Sequence, residues 1–103
     1  MSEELALTIR IPENSRFDLP VNGGKMQVDR LLAECQDGRL MEVTAYGATY
    51  KADGRLGERR AQVSIAPEVP ADLSLGYDLH WDAIPSVHCT TIVRWCEDRG
   101  QKA

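Results

Sequence analysis

No stretch of this sequence comes near the roughly twenty consecutive apolar residues that a membrane-spanning helix needs. There is no Cys-x-x-Cys, and the three cysteines, Cys35, Cys89 and Cys96, form an odd and widely spread set. Disulfide frameworks come in even sets, so the expectation is three small, reduced core residues in a cytosolic protein. No Gly-rich phosphate loop is present, and no nucleophile stands at a recognisable spacing from a base and an orienting acid. Lysine is scarce, since nine of the twelve basic residues are arginine. Arginine suits planar, partly desolvated contacts better than lysine does. Positive charge is in deficit overall. A net charge of −4 argues against broad binding to phosphate backbones. The N-terminal MSEELALTIRIPE carries acids where a secretory signal would carry lysine or arginine. The expected location is cytoplasmic.

What remains is enough for one domain. A chain of 103 residues, 43% hydrophobic and 27% charged, buries a single core without staples and is too apolar for disorder. No repeat or second domain is visible, and residues 97–103, EDRGQKA, read as a frayed charged tail.

Hydrophobic periodicity supplies the elements. Leu5, Leu7, Ile9 and Ile11 alternate with polar or small residues, which marks a half-buried strand stopped by Pro12. Residues 12–25 hold two prolines, Asn-Gly and Gly-Gly, and read as an irregular connection or one enclosing a short strand around Phe17–Leu19. In MQVDRLLAEC the alternation fails, because Leu31 and Leu32 are adjacent. Val28, Leu31, Leu32 and Cys35 fall at i, i+3, i+4 and i+7, so the spacing predicts a short helix over about 26–36, stopped at Gly38.

The tetrapeptide Asp-Gly-Arg-Leu occurs twice, at 37–40 and 53–56. The first is expected to leave the helix and the second to join two strands, LMEVTAYGATYKA and ERRAQVSIA. Met41, Val43 and Ala45 should share a face with Ala61, Val63 and Ile65. A five-residue loop, Asp53–Gly57, keeps those sets together and sets Arg60 opposite Tyr50. Leu73, Leu75, Tyr77, Leu79 and Trp81 then alternate cleanly with Ser74, Gly76, Asp78, His80 and Asp82, a strand with one core face. In SVHCTTIVRWCEDRG the β-branched run Thr90–Val93 favours a strand through Trp95, although Cys89, Ile92, Val93 and Cys96 also make a helical stripe. The fold class read from these patterns is α+β, an antiparallel sheet of about five strands with one short helix packed on it.

Three constellations bear on function. His80, His88, Cys89 and Cys96 are the residues able to form a soft-metal site, but zinc ligands usually come in close pairs. The adjacent His88 and Cys89 would point to opposite faces of a strand. A metal- or ligand-binding domain around His80 and His88 is therefore the third choice, and neither metal nor cofactor is expected. Asp78, His80 and Asp82 share a strand face and serve as a solvated acidic surface or a protein-binding patch. Tyr46 and Tyr50 stand on the polar side of the hairpin beside a basic tip of Lys51, Arg55, Arg59 and Arg60. Aromatics interleaved with arginines stack single-stranded bases and equally anchor protein interfaces. The acidic total favours protein. The expected function is a small non-enzymatic protein-binding module, a regulator or inhibitor, using Tyr46, Tyr50, Arg55, Arg59, Arg60, Asp78, His80 and Asp82. Single-strand nucleic-acid binding through the Tyr/Arg face is the alternative.

Overall fold

The computed structural model describes residues 4–65, 79 and 83–101. Five strands, β1 (Glu4–Arg10), β2 (Phe17–Val21), β3 (Gly24–Gln36), β4 (Arg39–Lys51) and β5 (Ala61–Ile65), form one antiparallel sheet, and one helix, α1 (Ser86–Gln101), packs on it. The α+β class is as expected. The strand order is β1-β3-β4-β5, and β2 lies in line with β1 along the same side of the long β3. A single 3-10 turn at Glu13–Ser15 carries the chain from β1 into β2. The short strand anticipated within 12–25 is thus real and runs to Val21, and a tight Asn22-Gly23 turn delivers it straight into β3. Gly23 has φ 84°, which glycine adopts without steric cost.

The helix expected over 26–36 is the sheet's central strand. The reason is a β-bulge. The β3–β4 ladder skips Asp29, pairing Val28 with Gly47 and then Arg30 with Tyr46. A bulge adds one residue and reverses which parity faces inward. Met26 and Val28 are buried before it, and Leu31, Ala33 and Cys35 are buried after it. The inward residues are therefore three apart across the bulge, and Leu32 on the other face completes a false helical stripe. A second bulge leaves Met41 unpaired between Leu40 and Glu42, so Met41 is 48% exposed instead of sharing the face of Val43 and Ala45.

Both Asp-Gly pairs are hairpin turns. Gln36 pairs with Arg39, which leaves Asp37-Gly38 as a two-residue loop with φ of 54° and 80°. Two successive positive φ values are the signature of a type I′ turn, whose twist matches the flanking strands. The first Asp-Gly therefore joins two strands rather than leaving a helix. At the second, the Gly54 N–H donates to the Lys51 carbonyl and the Lys51 N–H to that of Arg55, each at 2.8 Å. Gly54 at φ 87° closes a three-residue loop, shorter than the five residues expected. Leu56 already returns beside Tyr50. The apolar sets still face each other as read from the sequence: Val43 pairs with Ile65, Ala45 with Val63 and Gly47 with Ala61. Arg60 lies before β5 and is not opposite Tyr50.

The strand favoured through Trp95 is instead part of α1. Its buried Ile92 and Cys96, with half-buried Cys89 and Val93, form the helical stripe that competed with strand propensity in the sequence. The Thr91 hydroxyl donates back to the Val87 carbonyl at 2.9 Å, so a β-branched polar residue is accommodated within the helix. The helix continues through Gln101, into the segment expected to fray. It covers the inward face of β3 and β4, and Ile92 joins Leu19, Met26, Val28, Leu31, Val43 and Ile65 in the core. That packing brings the Cα atoms of Cys35 and Cys96 to 5.7 Å, and their sulfurs are bonded. Sixty-one residues of separation hid this pair from sequence spacing. The expectation of three reduced cysteines is corrected. Leu79 makes a parallel bridge with Ile65 and packs against the core. The other members of the strand expected at Leu73–Trp81 lie outside the described residues.

Candidate functional site on the open face of the sheet

With α1 on one side, no other described element packs on the opposite side of the sheet. Cross-strand register orders that open face into rows. Arg10, Arg30, Tyr46 and Gln62 are successive neighbours across β1, β3, β4 and β5. The next row is Thr8, Leu32, Thr44 and Ser64, and beyond it Ala6 lies beside Glu34 and Glu42. The face is therefore bipolar, with two arginines in one row and two glutamates two rows away.

Both like-charge pairs are directly opposite in register, an arrangement that destabilises a sheet by tenths of a kcal/mol to about 1 kcal/mol. Arg30 relieves part of this by placing its guanidinium 4.3 Å from the centre of the Tyr46 ring. A cation over an aromatic face at an exposed site contributes about 0.5–1 kcal/mol. Arg30 and Arg10 are exposed and Tyr46 is half-buried. The bulge at Asp29 is what delivers Arg30 to this face, because without it the phase of β3 would turn residue 30 inward.

A groove of about 660 Å³ runs beside this row, lined by Asp29, Arg30, Tyr46, Glu58, Arg59, Arg60 and Gln62, so its wall carries both acidic and basic side chains. Arg59 and Arg60, predicted as site residues, thus converge with Tyr46, although not through the pairing with Tyr50 that was expected. Tyr50 shares the face of Tyr46 but stands nearer the hairpin tip, between Lys25 and Leu56. Arg55 is remote from the groove. Its guanidinium contacts Asp53 at 3.5 Å and its N–H donates to the same carboxylate at 3.0 Å, so it belongs to the turn. Lys51 falls on the opposite parity from Tyr50. Asp78, His80 and Asp82 lie outside the described residues.

His88 stacks on Phe17 with ring centroids 5.5 Å apart, in the contact between α1 and β2. The sulfur of its neighbour Cys89 lies 3.6 Å from the Ile84 carbonyl. Among the described residues no three His, Cys, Asp or Glu side chains gather as a metal cage, and no helix is long and apolar enough to cross a membrane.

Arg10 and Arg30 are the members of this site that sequence reasoning missed. Their signal was present. Two alternating runs of opposite phase, Met26-Val28 and Leu31-Ala33-Cys35, meet at the consecutive polar pair Asp29-Arg30, which is how a bulge reads in a sequence. No protein-family model, curated protein or solved structure matches this chain.

Proposed function

We propose that the chain is a non-enzymatic protein-binding module that engages its partner through the open face of the sheet. The observation that carries this reading is the Arg10–Arg30–Tyr46 row. Two exposed guanidinium groups are held side by side at a cost in stability, next to a rigid aromatic ring. Arginine and tyrosine are enriched among the residues that dominate interface energies. A pair of arginines held against their repulsion fits an acidic strip on the partner, and the Glu34–Glu42 row two strand-steps away fits basic groups beyond it. Such a module acts by occupying a surface, which is how a regulator or inhibitor works.

Single-strand nucleic-acid binding is the second reading. Tyr46 and Tyr50 on one face, flanked by Arg30 and Lys25, support it. Against it, Arg30 already covers one side of the Tyr46 ring, and the net charge is −4. The Cys35–Cys96 bond supports an oxidising compartment as the location, since reducing compartments keep such thiols reduced.

The test is capture on the immobilised chain from an extract of the source organism, with and without nuclease. Recovery of one protein at fixed stoichiometry after nuclease treatment supports protein contact. Loss of all captured material on nuclease treatment supports the second reading.

A further inference from the structure

The outer edge of β1 carries a second inference, independent of what the open face binds. β1 pairs with β3 along one side, and no described residue pairs with its other side. The Ile11 N–H donates to the Asp29 carbonyl at 2.9 Å, so odd residues aim their backbone groups at β3. By the alternation of an antiparallel ladder, residues 4, 6, 8 and 10 aim theirs outward. Seven residues of regular backbone are thus presented for pairing. Leu5, Leu7 and Ile9 lie on the helix-covered face but are only half-buried, and Leu7 and Ile9 pack against the core's margin.

We propose that this edge pairs with the same edge of a second copy of the chain, antiparallel about a two-fold axis at Leu7. The sequence ELALTIR is complementary to itself in that register. Residue 4 meets residue 10, 5 meets 9, 6 meets 8, and Leu7 meets Leu7. All outward N–H and C=O groups of both strands are then used. Leu5 meets Ile9 on the core face, so the two apolar margins become one. In this register residue 4 of each copy stands opposite Arg10 of the other, so the sequence sets an acidic position against a basic one at both ends of the pairing. Shifting the register by one residue mixes the faces, and shifting it by two loses the Glu4–Arg10 pairing. The product is an eight-strand span, β5-β4-β3-β1 followed by its symmetry mate, with two Arg30–Tyr46 pairs on one surface. Isologous two-fold pairing of this kind is the commonest route to a homodimer.

Sedimentation equilibrium across a dilution series from high micromolar concentration tests this. The wild-type chain is expected at twice its monomer mass. Thr8→Pro removes an outward N–H at a position where an edge strand tolerates proline, and should give a monomer with an unchanged circular dichroism spectrum. Arg10→Glu, a surface change, covers the case in which the proline variant does not fold. It should give a monomer, and adding Glu4→Arg should restore the dimer. A monomeric wild-type chain, a dimer indifferent to Arg10→Glu, or a double variant that stays monomeric would each overturn the proposal.

Discussion

Arg30 and Tyr46 face each other across β3 and β4, with the guanidinium 4.3 Å from the ring centre. The contact exists because a bulge at Asp29 turns Arg30 outward. It joins a feature of the backbone to a feature of the surface, and the two separate under mutation. Arg30→Ala loses a contact worth about 0.5–1 kcal/mol and relieves repulsion with Arg10, so its stability in urea should stay within about 1 kcal/mol of wild type. Its affinity for the partner should fall by about 2 kcal/mol or more, as an interface anchor's does. A large loss of stability with unchanged binding would make the pair structural.

Gly47 lies opposite Val28 at the edge of that bulge. A Cβ built there would collide with the backbone carbonyl of Gln27, an atom with no side-chain freedom to retreat. Gly47→Ala should therefore cost on the order of 1–3 kcal/mol, the range for overpacked sites. Urea denaturation measures it. Wild-type stability in this variant would mean that the two strands are not drawn together at the bulge.

The β3–β4 turn makes a separate demand. With Gly38 at φ 80°, Gly38→Ala forces a side chain into the left-handed region at a cost of about 1–2 kcal/mol. Had this segment been a helix exit instead of a type I′ turn, a glycine there would matter equally. Hydrogen exchange of the β3 and β4 amides distinguishes the two. Loosened strand amides are expected in the variant.

The Cys35–Cys96 bridge closes a loop spanning a separation of 61 residues. Loops of that size gain about 3–4.7 kcal/mol from restriction of the unfolded chain. Cys96→Ala should lower stability by about 2–5 kcal/mol. Alkylation in denaturant without reductant should label Cys89 alone, and all three cysteines after reduction. Three labelled cysteines before reduction would show that the bridge is not formed.

Much of the sheet was legible because burial imposes period two on each strand. The alternation of Leu5, Leu7 and Ile9 and the shared parity of Val43, Ala45, Val63 and Ile65 needed no further information. β3 was misread because a bulge changes phase mid-strand, and two phases of period two joined by one extra residue imitate a helix. α1 was misread for the opposite reason. Strand propensity of Thr90–Val93 was weighed above a stripe of spacing three and four, yet packing against the sheet decides such cases. At the site, Tyr46, Arg59 and Arg60 were found from residue type and strand parity. Arg10 and Arg30 required the register of β1 on β3 and the bulge, which are long-range facts. The disulfide likewise depends on where α1 docks.

The most direct test of the open face as a protein-binding surface is a pair of calorimetric titrations. One uses the nuclease-resistant captured protein and the other a single-stranded oligonucleotide, each against wild type, Arg30→Ala and Val87→Ser. Val87 is 65% exposed, on the helix, and serves as the control on the other side. The expected result is protein binding that weakens by about 30-fold or more in Arg30→Ala, is unchanged in Val87→Ser, and has no oligonucleotide counterpart at physiological salt. Partner affinity indifferent to Arg30→Ala, or micromolar oligonucleotide binding abolished by it, would contradict the assignment.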